Sequence, residues 1–150
     1  MKYSWILFDA DGTLFDFDTA AVAALRRCFE QFGHRFEDHY LAIYERINLQ
    51  FWRDLEAGLV SPTELRSKRF EQLFETIGIT CDAHGFGDQY LKNLSDNSDL
   101  FDGAEEVVKQ LAGSAKLMMI TNGLQEVQRP RFARAAIKTY FEDFVISEEV

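Results

Sequence analysis

Asp9 and Asp11 stand two residues apart in the run Asp9-Ala10-Asp11-Gly12-Thr13, directly after the apolar stretch Trp5-Ile6-Leu7-Phe8. Two carboxylates on one glycine turn can hold a cation, close a polar turn, or divide the work of a nucleophile and a general acid and base. A calcium loop of the D-x-[DN]-x-[DN]-G-x5-E kind fails on spacing, because Gly12 arrives at the fourth position instead of the sixth and Ala20 stands where the bidentate glutamate belongs. A polar turn is the ordinary explanation of a bare Asp-x-Asp-Gly. The apolar run before it and Gly12-Thr13 after it favour the third option, a nucleophilic aspartate with a proton-transferring neighbour and turn N–H groups aimed at a phosphate.

The elements that must position these groups follow from periodicity. Residues 3–8 are aliphatic or aromatic except Ser4, which predicts a strand buried on both faces. Its carboxyl end is where open α/β sheets place their ligands. Val22, Leu25, Phe29 and Phe32 then recur at helical spacing up to Gly33, and a second helix is traced through Tyr40, Tyr44, Ile47, Phe51, Leu55 and Leu59, interrupted near Gly58. A third opens on Ser61-Pro62-Thr63-Glu64, a capping box with proline at the first helical position, and ends at Gly78. A shorter helix carries Phe86, Tyr90 and Leu94. Four helices with short connections imply a small antiparallel bundle inserted after the first strand.

Beyond the bundle, Asp102 and Glu105 offer a capping pair for a helix holding Val107, Val108 and Leu111. An apolar strand Leu117-Met118-Met119-Ile120 ends in Thr121-Asn122-Gly123. The next helix is expected to carry Val127, Phe132, Ala135 and Ala136, kinked or delayed by Pro130, before a third strand at Phe144-Val145-Ile146-Ser147. The expected fold class is α/β. Residues 1–16 and 98–150 form a parallel sheet of about three strands around an inserted helical bundle of residues 17–97, an order that resembles a Rossmann-like core carrying a helical cap; the resemblance implies that the sheet is incomplete and that hinges lie near residues 15–18 and 97–101.

Composition bounds the partners. With 150 residues, 47% hydrophobic, and fourteen phenylalanines, the chain can bury a sizeable core. A net charge of −9 argues against nucleic acid or an anionic membrane as partner, so an anionic small substrate must be met by local donors and a cation. No apolar run approaches the roughly 20 residues of a membrane span, and the expected compartment is the cytoplasm. Cys28 and Cys81 have no metal-ligand spacing and are expected to be reduced thiols.

Asp9-Ala10-Asp11-Gly12-Thr13 resembles the first motif of the haloacid dehalogenase superfamily of phosphohydrolases, and Thr121-Asn122-Gly123 after its strand resembles the second. The resemblance implies that Asp9 is the nucleophile and Asp11 the general acid and base. It further implies that Thr121 and Asn122 bind the phosphoryl group, and that Mg²⁺ is held by the Asp9 carboxylate and the Asp11 backbone carbonyl. The cap segment from Ile47 to Arg53, with Glu56-Ala57-Gly58, Arg69-Phe70 and the ending Phe144 to Val150, is similar to the branch that dephosphorylates pyrimidine and noncanonical nucleoside 5′-monophosphates. Asn48, Trp52 and Arg53 are its candidate substrate contacts in the cap, with cap packing the competing explanation for Trp52 and a solvated helix face for Asn48 and Arg53.

The implied activity is hydrolysis of a small phosphorylated metabolite, a nucleoside monophosphate, through an aspartyl-phosphate. The alternatives are another small-metabolite phosphatase or phosphomutase of the superfamily, and a binding module with a decayed site. A complete member supplies a bracing lysine and an acidic motif after the third strand. Lys138 precedes that strand, and Glu148 and Glu149 do not match the acidic motif. The chain is therefore expected to be the amino-terminal part of a larger phosphatase, with little or no activity alone. Its first strand is then an exposed apolar edge open to self-association.

Overall fold

The computed structural model describes residues 3–150. Three parallel strands, β1 (Trp5–Phe8), β2 (Lys116–Thr121) and β3 (Phe141–Ile146), lie in the order β1-β2-β3. Trp5 pairs with Lys116 and Phe8 with Met119, while Thr121 pairs with Ile146 across a register shift near Leu117 and Met118. Among the described residues there are six α-helices: α1 (Phe17–Gln31), α2 (His39–Glu56), α3 (Pro62–Ile77), α4 (Ala83–Ser95), α5 (Ala104–Ala112) and α6 (Gln125–Arg134). Two 3₁₀ turns, Ala136–Tyr140 and Ser147–Glu149, flank β3. Among the described residues, no helix is long and apolar enough to cross a membrane.

The chain divides into two compact units, one taking in the sequence through Ala21 together with Leu94–Val150, the other Val22–Asn93. In the sheet unit, alternate residues of each strand point to opposite faces. Leu117, Met119, Phe144 and Ile146 bury one face in a cluster with Ala104, Val108, Ala135 and Ile137, and Ile6 and Phe8 pack against it. The other face carries Trp5, Leu7 and Ile120, and Leu7 is 56% exposed. Within the described residues the expected burial of β1 on both faces is not met: β1 stands at the edge of the three-strand sheet, as the exposed-edge expectation has it, and the cluster lies on one side.

Other boundaries move for local reasons. Helix α2 ends at Glu56, so Leu59 falls beyond it and is exposed. Asp102 does not cap α5; Gly103 takes the N-cap position in the left-handed region at φ 81°, which a residue without Cβ adopts readily, and no side chain bonds the helix start. Pro130 stands inside α6 without ending it, but the helix stops at Arg134 and Ala136 belongs to the following 3₁₀ turn. Strand β3 starts earlier than expected, at Phe141, and leaves Ser147 outside.

The helical unit is organised by rings. Phe29 meets Phe36, Tyr40, Phe74 and Phe86, while Phe70 stacks on Tyr44 at 5.8 Å with ring planes 9° apart. Asn93 is buried and satisfied, donating to the Gln31 Oε1 at 2.9 Å and to Cys28 Sγ at 3.1 Å. Burial pushes the Cys28 thiol up to about 12, which keeps it protonated and unreactive at neutral pH.

The capping box at α3 is present as the sequence predicts. The Glu64 N–H donates to Ser61 Oγ at 3.2 Å, and the Ser61 N–H donates to Glu64 Oε2 at 2.9 Å. Lys68 adds an ion pair to Glu64 at 2.6 Å. Lys68 foremost, then Ser61, hold the Glu64 carboxyl at about 2, well below its ordinary value. A depressed carboxyl contributes stability above its unfolded value and loses it as pH falls through the folded one. The stability difference between the wild type and Glu64→Gln is therefore expected to be constant above about pH 5 and to shrink between there and pH 2. Urea midpoints measured across that range check this; a difference that grows with acidification contradicts it.

Candidate active site

Asp9 leaves the end of β1 and begins a tight loop. The Ala10 carbonyl accepts from the Leu14 and Phe15 N–H groups, both at 2.9 Å, and from Thr13 at 3.4 Å. Gly12, at φ 77°, turns its own N–H onto the Phe15 carbonyl at 3.0 Å. The amides of residues 12–15 hold the loop together, so of the turn N–H groups expected to meet a phosphate these four are engaged within the loop itself.

The loop separates the environments of its two carboxylates. Asp9 is exposed, and Thr13 Oγ1 donates to its Oδ2 at 3.2 Å. Asp11 is held from two sides: Arg131 Nη1 donates to Oδ1 at 2.7 Å and Gln128 Nε2 to Oδ2 at 2.6 Å. Arg131 is 1% exposed, and its Nε donates to the Asn97 carbonyl at 3.0 Å. Its guanidinium lies over the Phe15 ring at 4.9 Å and the Phe17 ring at 5.4 Å. Gln128 and Arg131 are the residues that sequence reasoning missed. Their signal was polar side chains three apart on the buried face of α6, beside Val127.

Thr121 ends β2, the strand paired with β1, and is 2% exposed. Its hydroxyl donates to the Asn122 carbonyl at 3.3 Å, and Asn122 itself is exposed. A Cβ at Gly123 would stand 2.8 Å from Gln128 Nε2, so the missing side chain admits the amide that reaches Asp11. Within the sheet unit, residues 14–16 pair with residues 99–101: the Asp16 N–H donates to the Asp99 carbonyl at 3.1 Å and the Phe101 N–H to the Leu14 carbonyl at 2.9 Å. Asp16 also accepts from the Thr19 N–H at 3.3 Å, at the start of α1.

Glu148 and Glu149 have structural work. Glu148 accepts from the Gln125 N–H at 2.7 Å, placing a carboxylate at the N-terminus of α6, and Glu149 pairs with Arg129. The cap candidates lie in the other unit, on α2. Asn48 accepts from the buried Arg69 at 2.8 Å, Trp52 is half-buried, and Arg53 is exposed.

The donor chemistry of the loop suits a hard divalent cation. The Asp9 carboxylate is exposed, and among the described residues no backbone N–H donates to the Asp11 carbonyl oxygen. Both Asp11 carboxylate oxygens accept hydrogen bonds, from Arg131 and Gln128, and its main-chain carbonyl is a further oxygen that the loop offers. No cluster of three or more His, Cys, Asp or Glu side chains suited to a metal occurs among the described residues.

A family model described as haloacid dehalogenase-like hydrolase matches residues 3–150. Pyrimidine 5′-nucleotidase YjjG of Escherichia coli is 31% identical over 150 residues, which are 100% of this chain and 65% of that protein. Pyrimidine 5′-nucleotidase PynA of Streptococcus pneumoniae is 32% identical over 151 residues, covering 100% of this chain and 64% of the relative. The magnesium-bound crystal structure of the HAD-hydrolase YfnB from Bacillus subtilis superposes with a TM-score of 0.92 at 30% identity, over 99% of this chain and 65% of that one. The chain thus spans a little under two thirds of the length of these relatives.

Proposed function

The chain belongs to the haloacid dehalogenase-like hydrolase family, and from that premise we propose that it carries the nucleophile and acid-base residues of a phosphatase acting on nucleoside 5′-monophosphates. The observation that carries this is the division between two carboxylates on one loop, Asp9 exposed and Asp11 held by Arg131 and Gln128. Whole-chain similarity to two pyrimidine 5′-nucleotidases supports the substrate class.

In the first displacement an Asp9 carboxylate oxygen attacks phosphorus in line. The Asp9 O–P bond forms, the P–O bond to the ribose breaks, and Asp11 gives its proton to the departing oxygen. In the second, water attacks the aspartyl-phosphate, Asp11 takes the water proton, and inorganic phosphate leaves with Asp9 restored. Thr121 and the Asn122 amide, at the end of the neighbouring strand, hold the phosphoryl oxygens. The Asp9 carboxylate and Asp11 carbonyl would hold Mg²⁺, which when bound neutralises charge on the phosphoryl group.

A panel of pyrimidine, purine and modified nucleoside monophosphates beside sugar phosphates, assayed for phosphate release with Mg²⁺ and with EDTA, tests this on the full-length protein. The expected result is Mg²⁺-dependent release favouring nucleoside monophosphates. Turnover confined to sugar phosphates assigns the site to another metabolite. Absence of both turnover and aspartyl-phosphate makes the domain a binding module.

A further inference from the structure

We propose that Arg131, seconded by Gln128, is the positioning residue for Asp11, fixing the carboxyl that transfers the proton and tying it, within the sheet unit, to Phe15, Phe17 and Asn97. The proposal rests on the assignment of Asp11 as the proton donor. Its observations are independent of that assignment. Arg131 reaches Asp11 Oδ1 at 2.7 Å, the Asn97 carbonyl of the returning segment at 3.0 Å, and the faces of Phe15 and Phe17 in the outgoing one. Gln128 takes the second carboxyl oxygen at 2.6 Å, so both oxygens of Asp11 are fixed from α6.

Stability alone explains this poorly. Arg131 is 1% exposed, Asp11 22% exposed, and Arg131 Nη2 is buried without a hydrogen-bond partner among the described residues. A buried ion pair roughly breaks even against well-packed apolar side chains, and an orphaned donor adds a further cost. What such a clamp supplies is orientation. A carboxyl that must place one proton on one leaving oxygen benefits from having its rotation removed, since a misplacement of about 1 Å can cost about 10²-fold in rate. Contacts with Asn97, Phe15 and Phe17 hold the Arg131 guanidinium, and through it Asp11, within the sheet unit.

The test uses the leaving group as the readout, because p-nitrophenolate departs without a proton and a ribose alkoxide does not. Full-length wild type, Asp11→Asn, Arg131→Lys and Gln128→Met are compared by pre-steady-state release of the leaving group, which reports the first displacement alone. Arg131→Lys and Gln128→Met are expected to lose about 10²-fold in kcat on a nucleoside monophosphate with KM little changed, and far less on p-nitrophenyl phosphate. Asp11→Asn should show the same selectivity more strongly. Gln128→Met conserves the packed volume, so it keeps the test alive if the arginine variant is poorly folded. Equal losses on both substrates, or none on either, overturn the positioning role while leaving the Asp11 assignment intact. If Asp11→Asn itself shows no leaving-group selectivity, the assignment fails and takes the proposal with it.

Discussion

An Asp9→Asn protein is expected to lose phosphate release by on the order of 10⁴-fold or more, the scale seen when a nucleophile is removed from an otherwise intact site. The amide is nearly isosteric with the carboxylate but has no charged oxygen to attack phosphorus. Its carbonyl can still accept from Thr13 Oγ1, the contact that Asp9 Oδ2 makes at 3.2 Å. Asp9 is exposed at the end of β1, so the loop that closes on the Ala10 carbonyl has no reason to change. The melting temperature should therefore hold while the rate falls. Acid-quench trapping of labelled aspartyl-phosphate distinguishes this from a binding defect: wild type should accumulate label and the variant should not. Full activity in Asp9→Asn would show that phosphorus is attacked by something else.

The part of the site that follows strand ends was legible in the sequence, because apolar runs announce β1 and β2 and the polar residues that break them must lie at their carboxyl ends. Asp9, Asp11, Thr121 and Asn122 all occupy such positions. The partners of Asp11 were not legible. Arg131 lies 120 residues from Asp11 and Gln128 lies 117, so only the parallel crossover that brings α6 beside the first loop creates the contact. Short-range chemistry fared unevenly in the same way. The Ser61 and Glu64 box depends on residues three apart and forms as expected, whereas Asp102 was displaced from its cap by the left-handed Gly103 beside it. Among the described residues the buried cluster lies on the Ile6 and Phe8 face of β1, and Leu7 points to the other.

Phe70→Ala is the substitution expected to cost the helical unit most, by about 3–5 kcal/mol, the range for removing a fully buried phenylalanine. Phe70 has no exposed surface and sits among Tyr44, Phe86, Tyr90 and Phe74, with ring centroids at 5.8, 4.9, 5.3 and 6.4 Å. The Arg69 guanidinium lies over both the Phe70 and Tyr90 rings, at 4.9 and 5.1 Å. Truncation thus removes transfer energy, leaves a cavity among rigid rings that relax little, and strips one face from a buried cation whose Nε already lacks a partner. Phe70→Leu retains most of the volume and should cost less than about 1.5 kcal/mol. Urea titration followed by near-UV circular dichroism reads the rings of this cluster directly, and the alanine variant should show a much lower midpoint at an unchanged slope. A loss below about 1 kcal/mol would mean that the ring cluster collapses around the gap, and that the cation is held chiefly by Asn48 and Tyr90.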